Sequence, residues 1–145
     1  MPHFATFEID RLHCGLDVRL VQEVLRDQPV TPVPRAKPDV RGLVNLRGQI
    51  LVAIDLRQTL GRGVSPQPDP ERLPSVLILQ TEHEPIALVV DALGDVESPP
   101  DALYEPCRGL LADPFDDLIT GAYRQDNRLL HVLDPIALAG RLLAA

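Results

Sequence analysis

The sequence predicts an all-β fold with short helices, a barrel or sandwich assembled from many brief strands. About seven or more apolar runs of strand length are separated by turn signals roughly every 8 to 12 residues. Prolines number 15 in 145 residues, about twice the usual share, and they lie between Val/Ile/Leu-rich runs instead of forming a tract, so they punctuate short elements. No regular alternation of strand and ten-residue helix occurs, which argues against a doubly wound parallel sheet. With 45% hydrophobic and 24% charged residues, the chain is expected to form one globular domain over residues 1–145. Its longest apolar runs, such as Val76 to Leu79 and Ile86 to Val90, are far shorter than the roughly 18 to 20 residues a bilayer requires.

The elements follow in order. Phe4 to Ile9 and Leu12 to Leu16 read as a short hairpin around the polar Asp10-Arg11. Asp17 is placed to cap a turn before Val18 to Leu25, a segment whose apolar positions fit either a helical face or a strand. Pro29, Pro32, Pro34 and Pro38 forbid a continued helix, and Val30 to Pro34 reads as an extended edge. From Gly42 two apolar runs are divided by Arg47-Gly48-Gln49, which places a bulge or a close backbone approach at Gly48. Asp55 reads as the N-cap of a helix of one or two turns ending at Gly61. Residues 63–74 read as a loop.

Ser75 to Gln80 and Ile86 to Asp91 form the next expected hairpin, across a polar Thr81 to Pro85 connection. Pro99-Pro100 breaks the following stretch, and residues 107–118 are acidic and irregular. Ile119 to Tyr123 and Leu129 to Leu133 make another strand pair around Gln125-Asp126-Asn127. Asp134-Pro135 is a helix start, an acidic cap with proline at the first helical position. Ile136, Ala139 and Leu143 are expected to share that helix's apolar face.

A net charge of −7 disfavours nucleic acid and anionic membranes as partners, since both require a positive footprint. Lysine plus arginine against aspartate plus glutamate runs 9 to 7 over residues 1–68, 2 to 12 over 69–117 and 3 to 2 over 118–145. The negative excess therefore belongs to the middle segment, a solvated surface or the complement of a basic partner. Cys14 and Cys107 share no C-x-x-C spacing, which argues against a disulfide framework and a structural zinc site. No basic region followed by an apolar stretch opens the chain, so a cytoplasmic protein is expected.

No catalytic constellation is legible. His3, His13, His83 and His131 lack metal-ligand spacing, no serine lies in G-x-S-x-G, and Gly61-Arg62-Gly63 lacks the Lys-Ser/Thr of a phosphate loop. Asp113 to Asp117 offers carboxylates for a cation but no glycine-centred calcium loop. The expectation is a binding protein without cofactor or metal. A small ligand-binding barrel or enzyme using residues 113–117 is the rival.

The run from Arg41 to Arg57, R-G-L-V-N-L-R-G-Q-I-L-V-A-I-D-L-R, preceded by Val21-Gln22-Glu23-Val24 and Val30 to Pro34, resembles the CheW family of chemotaxis coupling proteins. The likeness continues through Ile86 to Asp91, Ile119-Thr120-Gly121 and Leu129 to Asp134. It implies two packed five-stranded SH3-like β-barrels within a single domain. It also implies a non-enzymatic adapter between the cytoplasmic tip of a methyl-accepting chemoreceptor and the regulatory domain of the histidine kinase CheA. An alternative within the same resemblance is a scaffold in a pilus-motility or developmental pathway. The implied partner-binding residues are Val21, Glu23, Gly42, Asn45, Leu46, Arg47 and Gly48. A charge inside an apolar hairpin needs a partner or a solvated position: Glu23 and Arg47 are expected to pair and to organise the surface between the barrels, the alternative being an exposed turn arginine and a solvated glutamate. Gly42 and Gly48 read as turn residues or as points where a side chain would block a partner. Cys14, Val52 and Ala87 depart from the family's usual aromatic, proline and glycine.

Overall fold

The computed structural model describes residues 2–63, 73–106 and 116–143. The expected loop over 63–74, Cys107 and the carboxylate run at 113–117 lie wholly or largely outside those residues. Among the described residues, eleven strands form two sheets. They are β1 (Phe4–Ile9), β2 (Leu12–Asp17), β3 (Val21–Leu25), β4 (Val40–Leu46), β5 (Gln49–Asp55), β6 (Ser75–Leu79), β7 (Ile86–Val90), β8 (Ala92–Glu97), β9 (Tyr104–Glu105), β10 (Ile119–Arg124) and β11 (Leu129–Leu133). Helix α1 (Leu56–Thr59) follows β5 and α2 (Pro135–Leu143) follows β11. The segment of ambiguous periodicity divides: Asp17 caps a 3-10 turn at Val18–Leu20 by accepting from the Arg19 amide, and Val21–Leu25 is strand.

The sheets are ordered β8-β1-β2-β11-β10-β9 and β3-β6-β7-β5-β4. One face of every strand in the second sheet feeds a single core of Leu25, Val44, Leu46, Leu51, Ala53, Val76, Ile78, Ala87 and Val89, so the sheet is curled into a barrel. The first barrel carries one strand more than the resemblance implies, the two-residue β9. Its interior is Phe4, Tyr123, Leu130 and Val132. Gly15 makes room for it: a Cβ there would press on Phe4 at 3.1 Å and Leu130 at 3.3 Å. Phe4 and Tyr104 each tilt against Tyr123, with ring centroids 5.6 and 5.1 Å away. A larger core fastens the barrels to each other, with Phe7, Ile9, Leu16, Leu56, Leu77, Leu88, Leu118, Leu133 and Leu138 all essentially solvent-free.

The two barrels share one wiring diagram. In each, an edge strand pairs antiparallel with a hairpin, and the hairpin's second strand runs parallel to a strand that closes a second hairpin: β8, β1-β2, β11-β10 in one, and β3, β6-β7, β5-β4 in the other. Details repeat as well. The register slips between Val40 and Gly42 and between Ile119 and Gly121, and the same number of residues separates Gly42 from Asp55 and Gly121 from Asp134. Thr31 bridges Leu43 where Glu105 of β9 pairs with Ala122. The first barrel combines the β1-β2 hairpin with four strands from the second half of the chain, and the second barrel the β6-β7 hairpin with three strands from the first half, so the halves are interlocked.

Two local expectations are corrected. The close approach lies at Gly42, inside β4, where a Cβ would collide with the Thr31 carbonyl oxygen; nothing lies within 4 Å of a Cβ on Gly48, which sits in the turn. The buried side of α2 is Leu138, with Ala137 and Leu142 packed alongside, whereas Ile136 is 84% exposed. The i, i+4 pair Leu138 and Leu142 defines the face that meets the core.

Candidate functional site

The residues singled out in sequence gather on the second barrel. Val21 and Glu23 lie on β3, one edge of its sheet, and Gly42 to Gly48 lie on β4 and its turn, the other edge. A bulge between Val21 and Glu23 sets Glu23 opposite Ile78, a residue of the barrel core. Leu46 pairs with Gln49, leaving Arg47 and Gly48 as a two-residue turn. Their φ angles are 50° and 85°, the positive pair a type I′ turn demands. Asn45 secures the turn by accepting the Gly48 amide on Oδ1 at 3.0 Å.

Arg47 reaches from this tip across the mouth of the barrel. Its Nη1 donates to Glu23 Oε2 at 2.7 Å and its Nη2 to Oε1 at 2.5 Å, a fork-on-fork geometry. The guanidinium hydrogen bonds hold the Glu23 carboxyl below the usual carboxylate range and raise Arg47 above its own. The expected pair is present, but its place is corrected. It joins the two edges of one barrel rather than the surface between barrels, because β3 and β4 are the terminal strands of the same sheet.

The other singled-out residues divide by role. Asn45, Arg47 and Gly48 are exposed; Leu46 is in the barrel core, half-buried Val21 packs against the inter-barrel core, and Gly42 admits the Thr31 backbone. Sequence reading missed Val24, Ile50 and Val52, which are 50%, 54% and 43% exposed. Alternation with the core residues Leu25, Leu51 and Ala53 was the available signal, since successive strand residues face opposite sides.

The first barrel repeats the motif with different chemistry. Glu97, on edge strand β8, lies 2.8 Å from His13 Nε2 and accepts from Gln125 Nε2 at 2.6 Å, with Arg128 Nη2 at 3.6 Å. Gln125 and Arg128 flank the β10-β11 turn, so an acidic edge residue is again tied to a hairpin tip. Exposed apolar residues recur in register: Val96, 62% exposed, stands where the other barrel has Val24, and Leu129, 44% exposed, where it has Ile50. Burial lowers the pKa of His131 and pushes the Cys14 thiol up to about 12. Among the described residues, no group of three His, Cys, Asp or Glu side chains is placed to hold a metal ion. No helix among them is long and apolar enough to cross a membrane.

A family model described as the CheW-like domain matches residues 3–142. The chemotaxis protein CheW of Treponema pallidum is 30% identical over 138 residues, covering 89% of this chain and 76% of that protein. Thermotoga maritima's chemotaxis protein CheW is 27% identical over 129 residues, with coverage of 89% and 82%. Among solved structures, the scaffolding protein TtCheW from Thermoanaerobacter tengcongensis superposes with a TM-score of 0.77 at 24% identity, over 92% of this chain and 90% of the other. That last likeness speaks to the two-barrel fold.

Proposed function

The chain belongs to the CheW-like family, the adapter and scaffold proteins of chemotaxis, and from that premise we propose that it couples the cytoplasmic tip of a chemoreceptor to the regulatory domain of the histidine kinase CheA. In this reading it acts in the cytoplasm as a single two-barrel domain, through protein contacts alone and without chemistry of its own. Glu23, Asn45, Arg47 and Gly48 present the contact surface, while Val21, Gly42 and Leu46 give it its shape.

The observation that carries the reading is the Arg47–Glu23 pair. Arg47 has a 70% exposed side chain and sits at positive φ, a conformation that costs a non-glycine residue about 1–2 kcal/mol. A solvent-screened ion pair returns little stability, so stability alone does not account for an arginine there; presentation of a fixed, planar charge pair to a partner does. The exposed apolar residues at equivalent places on both barrels supply the second surface that a connector needs.

The test is co-sedimentation of the purified protein with receptor-containing membranes and CheA. Arg47→Ala is expected to weaken recovery about tenfold or more while moving the melting temperature by no more than about 2 °C, as suits an exposed pair. Failure of the unaltered protein to pellet with either partner removes the proposal.

A further inference from the structure

Arg57 occupies the junction between the barrels. It follows the Asp55 cap of α1, whose Oδ1 accepts the Arg57 amide at 3.1 Å, so its backbone is fixed to the end of β5 in the second barrel. Its side chain, 14% exposed, donates from Nη2 to Asp10 Oδ1 at 2.9 Å and from Nη1 to Asp91 Oδ2 at 2.8 Å. Asp10 is at the tip of the β1-β2 hairpin of the first barrel, with φ of 48°. Asp91 is the single residue linking β7 of the second barrel to β8 of the first. The Asp10 amide also donates to Asp91 Oδ2 at 2.7 Å, and the Asp91 amide to the Glu8 carbonyl at 3.0 Å. One guanidinium thus gathers an element of each barrel and the link between them.

At the pseudo-equivalent junction the matching positions carry other residue types. By the shared register, Arg57 corresponds to Ile136, Asp10 to Glu82 and Asp91 to Arg19. There the exposed Ile136 replaces the cation, and a cavity of about 350 Å³ opens between α2 and the β6-β7 turn, lined by Val52, Ile54, Pro85, Ile86 and Leu142 among others. The Arg57 clasp is therefore not repeated by the matching residues Ile136, Glu82 and Arg19.

We propose that Arg57, held by Asp10 and Asp91, is a positioning residue that fixes the angle between the two barrels and so the spacing of their partner surfaces. The apolar core between the barrels is non-directional and tolerates small rotations, whereas a guanidinium shared between two carboxylates accepts a narrow range of orientations. Arg57 Nε is buried without an acceptor among the described residues. A nearly buried cation with one donor unmet is a poor device for stability alone, and a good one for holding three segments in register. The inference rests on the adapter reading for its consequence, though not for its geometry.

The test uses the full chain with Arg57→Met, which keeps the apolar stem, and Asp10→Asn, which leaves the bond to Asp91. Residual dipolar couplings measured on each barrel report the angle between them directly. Both variants are expected to fold and to rotate one barrel against the other by about 5° or more, on the scale of small rigid-body switches. Affinities for the isolated kinase domain and receptor fragment should stay within about twofold, while receptor control of the kinase in a reconstituted complex falls about tenfold, as loss of coupling without loss of binding requires. Unchanged couplings in both variants, or unchanged receptor control despite a changed angle, overturns the proposal. If the unaltered protein binds neither partner, the adapter reading falls, and a rotation in the variants still upholds the clasp.

Discussion

Gly42 and Gly48 were indistinguishable as glycines of one signature segment, and their environments separate them. Gly42, with φ of 153°, faces the Thr31 carbonyl with no space for a methyl group, while Gly48, with φ of 85°, faces open solvent. Gly42→Ala is expected to cost about 1–3 kcal/mol through forced backbone displacement, and Gly48→Ala about 1 kcal/mol through turn strain alone, both read from urea unfolding midpoints. Cys14 is also defined by its surroundings. Fully buried, with its thiol pushed up to about 12, it should resist an alkylating reagent at pH 8 and react fully once urea unfolds the chain. Labelling of Cys14 in the folded protein would contradict the burial. Thiol reactivity follows the thiolate fraction, and both burial and the raised pKa suppress it.

Among the elements, those whose cause is local were legible. Asp134 accepts the Ile136 and Ala137 amides at 3.0 and 3.2 Å, as the Asp-Pro start implied. Asp134→Ala is expected to lower stability by about 1 kcal/mol, the usual worth of an N-cap, measurable as a reduced melting temperature. The buried face of the same helix was not legible: Ile136 and Leu138 are both apolar, and only the position of the core beneath α2 selects Leu138. The hairpins were read correctly because polar turns divided apolar runs. Val18 to Leu25 could not be resolved, because its apolar spacing suits both a helix and a strand until β6 supplies a partner for residues 21–25.

At the scale of the molecule, the exchange of hairpins between halves means that neither half builds a barrel by itself, and the inter-barrel core draws on both. The protein is therefore expected to unfold in urea as one cooperative unit, with probes in the two barrels giving coincident transitions. Leu88→Ala, at a solvent-free position in that core, should shift both probes together and cost about 2–5 kcal/mol. Two separated transitions would show the barrels to be independent. By itself the sequence determined most of the hairpins, turns and caps; that Glu23 pairs with Arg47 was an expectation built on the family resemblance and on the need of an arginine in an apolar hairpin for a partner or for solvent. These are decided by φ preferences and neighbours a few residues away, or by the chemistry of one side chain. Only the tertiary structure decided that β1-β2 joins β8, β10 and β11, that Glu23 and Arg47 close one barrel, that Val24 and Val96 stand exposed in matching places, and that Arg57 spans the junction. Strand pairing and burial are non-local: many apolar strands could pair equally well, and packing of the whole chain chooses among them.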